Sequence, residues 1–339
     1  VYISSLLCFS ISLAGFFQII WLMFNLKKHK IELRLGFLKI LNFSKPRSET
    51  KTFFKLLLPA ILGNGAYQLN LLVDMILAST LPHGSISYLY YADRINQLPL
   101  GVLGIAISTA LLPVLSKQIK KRQNKKANES ISNAIKFGIM FSIPSFVGLF
   151  VLSDEIVKFL FFRGAFEFSD VKLTGMALVA LSCGLPAFIM IKILVVPLIA
   201  NEDTKTPIRV AIISMAINLI LNLVLIQKFL HVGLAMATTI SAWINALMLF
   251  YLLLTKVKIS FDRTIMIVFL KVIISSVIMG FLVEKLVGVN IMNFTGSVFF
   301  DNENLLLLIS VFFGLIIYVL MIYLLGLREL NLGKWKNKS

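Results

Sequence analysis

Charge is what this sequence has least of. Only 14% of its 339 residues are Asp, Glu, Lys or Arg, against about 25% in ordinary soluble domains. That is too little to clothe a globular surface, which excludes a water-soluble enzyme or binding domain. Cysteine and histidine are scarcer still. Cys8 and Cys183 lie inside apolar runs, without metal-ligand spacing or a disulfide framework. The three histidines, His29, His83 and His231, fall in or beside predicted loops. There is no GxxxxGK[ST] phosphate loop, no HExxH and no paired CxxC. Gly63-Asn64-Gly65 is too short for a dinucleotide fingerprint and more readily permits close helix approach or a bend. The expectation is a protein that is not an enzyme and holds no organic cofactor. Any energy it uses must come from a gradient, from substrate supply or from partners.

What the chain has in abundance is long apolar runs. It is 58% hydrophobic with mean hydropathy +0.90, and runs of 18 or more apolar residues, each able to cross a ~30 Å hydrocarbon core, recur along its length. Nine spans are predicted, at 1–24, 53–81, 86–115, 134–152, 171–200, 207–226, 231–254, 264–287 and 305–325. The fold class is therefore all-α, a polytopic membrane helix bundle.

The net charge of +17 could suggest nucleic acid, but its distribution points to membrane topology. The connections at 25–55, 116–136, 201–209, 255–263 and 326–339 hold 25 of the 33 Lys and Arg, and the opposite set holds five with seven acids. Basic loops stay in the cytoplasm, which predicts a cytoplasmic C-terminus and, with nine spans, an external Val1. Val1 is not Met, no basic n-region precedes the first run and no cleavage site follows it. Upstream helices are expected. Residues 25–51, basic with apolar residues interspersed, suit the inner membrane surface, and 153–170 reads as a short outer interfacial helix and turn broken at Gly164.

Three cations, Arg94, Lys192 and Lys271, sit within spans. A charge at mid-membrane costs at least about 2.5–3.5 kcal/mol, so it faces a cavity or a partner. Arg94 falls about 12 Å into its span if the helix starts at residue 86. Its neighbour Asp93 points ~100° away, so the two cannot pair face to face. One reading is an arginine lining a hydrated cavity for an anion, with Asp93 balancing it; the guanidinium fork suits phosphate. The other is a structural bridge between helices. Lys192, between Pro186 and Pro197, offers a second positive charge or a structural pairing. Lys271 is near a span end and can snorkel. Asp74, with Asn70 one turn earlier, Asn218, Asn222 and Thr238 could form an oxygen shell for Na⁺ or exchange a proton. Interhelical hydrogen bonding is the alternative.

These residues also carry a resemblance. "LLLPAILGNGAYQLNLLVDMILASTLPHGSISYLYYADRINQLPLGVLGIAISTALLPVLSK" (56–117) resembles the signature region of the MurJ/MviN family of bacterial lipid II flippases, in the MOP exporter superfamily. "FLFFRGAFEFSD" (159–170), "GLPAFIMIKILVVPLIANEDTKTPIRVA" (184–211) and "GLAMATTISAWIN" (233–245) are similar to it too. The resemblance implies two six-helix lobes that rock around a cationic cavity, followed by an extra helix pair. It implies that 1–52 is the last helix of an incomplete N-terminal lobe and its basic linker. Residues 53–255 would be the six-helix C-terminal lobe, and 256–339 the two additional helices and tail. Arg94 matches the family's cavity arginine, with Asp93 beside it. Asp74, Asn218, Asn222 and Thr238 fall where its sodium residues are proposed. Some members carry an acid where this chain has Asn222, and a neutral residue there weakens the expected cation affinity. The implied function is flipping of lipid II, the undecaprenyl-pyrophosphate-linked peptidoglycan precursor, in the bacterial inner membrane. Membrane lipids and peptidoglycan-synthesis proteins are the expected partners, and nucleic acid is not. Another MOP-type exporter, of an oligosaccharide-lipid or a drug cation, and a non-transporting scaffold are the alternatives. A cation exporter would want acids where Arg94 stands.

Overall fold

Apolar length dictates the architecture, because in lipid every backbone N–H and C=O must be satisfied within its own segment. In the computed structural model, which describes residues 2–28, 68, 70–257, 263–288 and 303–326, the described elements are helical. The basic stretch at 25–51 (beyond Lys28), Gly63-Asn64-Gly65, most of the span predicted at 53–81, and the basic tail beyond 326 lie outside those residues. The chain divides into two compact units, Val1–Leu56 and Leu57–Ser339. The first contributes α1 (Tyr2–Lys28), apolar nearly all round.

The second unit begins with α2 (Asn70–Ser79). Gly84 (φ 96°) turns the chain into α3 (Ser85–Pro99). Pro99 has no N–H to give the preceding turn, and the helix widens into a π-helical segment at Leu100–Ile105 before resuming as α4 (Ala106–Lys120). There follow α5 (Asn124–Val151), the short α6 (Ser153–Phe161), α7 (Phe168–Ser182) and α8 (Leu185–Ala200). Helix α6 is strongly amphipathic, burying Val157, and a turn with Gly164 at φ 65° follows it. Reciprocal hydrogen bonds between Glu167 and Asp170 cap α7.

Among the described residues, seven helical stretches are long and apolar enough to cross a membrane. One of them, Lys205–Lys256, has 52 residues, about 78 Å of helix and more than twice the hydrocarbon thickness. It is a hairpin. Helix α9 (Lys205–Leu252) breaks at one residue, Leu230, at φ 52° and ψ −130°. Contacts then pair 214 with 241, 218 with 238 and 225 with 233, the signature of antiparallel halves. Gly233 makes the fold-back possible: a Cβ there would stand 2.5 Å from the Leu225 carbonyl oxygen. The spans predicted at 207–226 and 231–254 are these two halves, and the predicted loop between them is reduced to a one-residue break. A π-turn at Leu253–Val257 ends the hairpin, and α10 (Arg263–Gly288) and α11 (Glu303–Leu324) complete the described chain.

Because lipid tails are as apolar as leucine, close packing and interhelical polar contacts hold such a bundle together. Leu115, Ile135, Ile189, Ile193, Leu249 and Val272 join α4, α5, α8, α9 and α10. Ala92, Ile95, Val157, Leu178 and Ala235 join α3, α6, α7 and the second half of α9. Helix α10 packs on α5 and α11. At Gly280 of α10 a Cβ would meet Val147 Cγ1 of α5 at 2.5 Å. The Tyr318 hydroxyl of α11 donates to the Met140 carbonyl of α5. Large apolar residues such as Leu98, Val102, Ile220 and Phe312 stay exposed, as lipid-facing positions would.

Candidate functional site

The polar residues within the spans fall into two groups. The first lies on α3. Asp93 is half-buried and Arg94 exposed, and they do not hydrogen-bond to each other. Gln97, one turn on, separates their roles: its amide nitrogen donates to Asp93 Oδ2, while its carbonyl oxygen accepts from Arg94 Nη1 at 3.4 Å. One turn back, the Tyr90 ring supports the guanidinium, with Cζ 4.7 Å from the ring centroid. Tyr90, Arg94 and Gln97 thus hold a charged fork on the exposed side of a spanning helix. No carboxylate among the described residues is in ion-pair contact with it. A guanidinium cannot face hydrocarbon unpaid, so this side of α3 borders water or another polar group.

Lys192 does not join this group. It is exposed on α8, its Cγ lying 3.6 Å from where a Cβ on Gly104 would stand. Gly104 is ten residues past Arg94, roughly 15 Å further along the helix axis. The two cations occupy different levels of the bundle.

The second group is one connected network. Asp74 on α2 meets Asn222 on the first half of α9, with Asn222 Nδ2 donating to Asp74 Oδ1 at 2.6 Å. The same nitrogen donates to Asn218 Oδ1 at 2.9 Å. Asn218 Nδ2 reaches the hydroxyls of Thr238 and Ser241 on the second half, both at 3.4 Å. Those hydroxyls donate onward to the carbonyls of Leu234 and Thr238 at 3.0 and 2.9 Å. Ser214 donates to the Ser241 carbonyl at 2.8 Å, and Asn70 to Asp74 Oδ2 at 3.2 Å. Asn218 and Asn222 are 1% and 0% exposed. The structure therefore brings together all four residues singled out for a cation.

Their arrangement does not suit a hard cation, which takes oxygen ligands. The two oxygens facing each other, Asp74 Oδ1 and Asn218 Oδ1, already share one amide nitrogen. The Asn222 oxygen, buried and without a hydrogen-bond partner, is left out of the network. Among the described residues no cluster of three or more His, Cys, Asp or Glu could hold a metal.

Sequence reasoning missed Gln97, Tyr90, Ser214 and Ser241. The first two were within reach, at i+3 and i−4 from Arg94. Also missed was a cross-link at one end of the lobe: the Tyr88 hydroxyl donates to Asp170 Oδ1 at 2.6 Å, and the Tyr88 ring lies 5.4 Å from that of His231. At the basic end, Asp203 binds the Thr206 amide and hydroxyl at 3.0 and 2.6 Å and lies 3.7 Å from Lys256 Nζ. Burial pushes its carboxyl up, but the bonds from Thr206 and the Lys256 charge outweigh this and hold it below its ordinary value.

An antiparallel helix hairpin packed into a lobe with two further helices docked on it is a polytopic membrane-helix bundle, a fold shared with solved proteins of the MOP superfamily. Solved multidrug MATE transporters of that superfamily share this fold: one in an outward-facing conformation is 16% identical with TM-score 0.52, covering 78% of this chain and 63% of its own. A lipid II flippase MurJ in an inward closed conformation is 32% identical with TM-score 0.67, covering 84% of this chain and 56% of its own. The chain matches the family described as lipid II flippase MurJ over residues 2–300, and it belongs to that family. The "Probable lipid II flippase MurJ" of Vibrio cholerae is 40% identical over 195 residues, 58% of this chain and 37% of its own length. Its counterpart in Buchnera aphidicola of Schizaphis graminum is 32% identical over 328 residues, 96% and 62%. The chain spans about half the length of the curated relatives it matches.

Proposed function

We propose that this protein moves the pyrophosphate-linked head group of lipid II across the bacterial inner membrane, by alternating access, with its C-terminus in the cytoplasm. The observation that carries the reading is Arg94, a guanidinium braced by Tyr90 and Gln97 on the exposed side of a spanning helix, with no carboxylate among the described residues in ion-pair contact. The substrate poses a matching problem. Its diphosphate and sugar–peptide head must leave water, while its polyprenyl tail can stay in lipid. A planar fork donates two parallel hydrogen bonds to a phosphate group. Asp93, tied to Gln97, offsets the positive field without neutralising the fork. The head group must also be released, so its affinity has to differ between the two openings of the transporter. The family relationship supports the same substrate.

Expressing the gene that encodes this chain in bacteria depleted of their own lipid II flippase tests the proposal. Rescue of wall synthesis by the natural sequence, and its loss in Arg94→Ala at equal membrane abundance, is the expected result. Rescue by both variants would remove Arg94 from the mechanism. Absence of rescue by an abundant natural protein would count against lipid II itself.

A further inference from the structure

We propose that Asn222 is the residue that sets ion dependence in this protein: its amide nitrogen occupies the place of a cation between Asp74 and Asn218, so the α2–α9 network forms without Na⁺. The polarity of the network fixes this orientation. The Thr238 hydroxyl reaches the Leu234 carbonyl and the Asp74 carboxylate, and the Ser241 hydroxyl reaches the Thr238 carbonyl; all of these only accept, so both hydroxyls act as acceptors toward Asn218 Nδ2. That turns Asn218 Oδ1 toward Asn222, which must answer with its nitrogen. The second hydrogen of that nitrogen meets Asp74 Oδ1, a charge-assisted bond at 2.6 Å. Reversing one amide would face oxygen with oxygen at Asp74 and would require its neighbour to reverse as well. With Asn70 on the other carboxylate oxygen, Asp74 is satisfied from two sides by neutral donors.

Replacing the Asn222 amide by a carboxylate keeps the shape and inverts the chemistry. Asn222→Asp takes away the bridging N–H groups and sets a second negative charge against Asp74. Two carboxylates, the Asn218 carbonyl and the Thr238 hydroxyl then form an oxygen shell that a hard cation stabilises. The single position 222 accordingly switches the site between a self-satisfied latch and an ion-dependent one. This concerns ion binding, not the cargo, and it can be read without lipid II.

The experiment is thermal unfolding of the purified protein in detergent micelles across a NaCl series balanced with choline chloride. The natural protein should keep a constant Tm, and Asn222→Asp should rise by a few degrees once Na⁺ exceeds its Kd about 100-fold. A sodium-dependent rise in the natural protein overturns the proposal, and so does a folded Asn222→Asp with no response. Should Asn222→Asp fail to fold, the transposed pair Asp74→Asn/Asn222→Asp decides. It restores one carboxylate and one amide, and should fold and ignore Na⁺. Failure of that pair to fold, or a sodium response from it, overturns the inference.

Discussion

Gly233→Ala is the sharpest probe of the α9 hairpin. The added methyl would meet backbone, 2.5 Å from the Leu225 carbonyl oxygen and 2.7 Å from its carbon. No side chain can swing away to relieve that overlap. Ordinary contact begins near 3.4 Å, so the halves must part by about 0.9 Å or the turn must rebuild. The Asn218 bonds to Thr238 and Ser241 are already 3.4 Å long and would not survive such a separation. Losing two neutral hydrogen bonds costs roughly 1 kcal/mol each, and stranding a buried amide adds about 1–3 kcal/mol. Against this, alanine gains up to ~1 kcal/mol of helix propensity. The net expectation is a loss of about 3 kcal/mol, an apparent Tm lowered by roughly 5 °C or more. Gly148→Ala is the control: nothing lies within 4 Å of its added Cβ, and in the last turn of α5 it should leave stability unchanged or raise it by up to ~0.5 kcal/mol. Differential scanning fluorimetry at one fixed scan rate reads both. A Gly233→Ala protein as stable as the natural one, or a Gly148→Ala protein equally damaged, would refute the hairpin reasoning.

Two further outcomes follow from the lobe's other polar contacts. Tyr318→Phe removes the hydroxyl that ties α11 to the Met140 carbonyl and should cost about 1 kcal/mol, with hydrogen exchange quickening in α11 before α5. Asp203→Asn should cost about 1 kcal/mol, small because the Lys256 pair is partly exposed, and measurable as a lowered Tm. The pH dependence of that contribution has a definite sign. A carboxyl held below its ordinary value of 3.8 stabilises the fold above that value and loses its contribution as pH falls through the depressed one. The Tm difference between Asp203→Asn and the natural protein should therefore be flat from about pH 5 to 8 and shrink only below about pH 4.

How far the sequence leads is clearest at particular residues. Apolar run length marks the described spans, because a run of about 20 apolar residues crosses the hydrocarbon core as a helix that satisfies its own backbone. The Asp74, Asn218, Asn222 and Thr238 grouping is also legible, since polar side chains within spans must find one another. What sequence does not convey is direction. Nothing in the order of letters says that the Asn222 nitrogen, and not its oxygen, faces Asp74; that follows from hydroxyls on the returning half of α9. The break at Leu230 is equally hidden, being a backbone conformation that leucine seldom adopts, stabilised by a close approach at Gly233. Tyr318 and Met140 are 178 positions apart, beyond any local pattern. Gln97 and Tyr90, in contrast, sit at helical spacing from Arg94 and were available to a search that extended past charged residues.

In the proposed mechanism Arg94 grips the diphosphate of the cargo. Native mass spectrometry of the purified protein with added lipid II measures it most directly, comparing the natural sequence, Arg94→Lys and Arg94→Ala. A bound lipid II adduct is expected, weakened about tenfold or more in Arg94→Ala, with Arg94→Lys between them because it keeps the charge and loses the fork. Equal lipid II occupancy in all three proteins would contradict it.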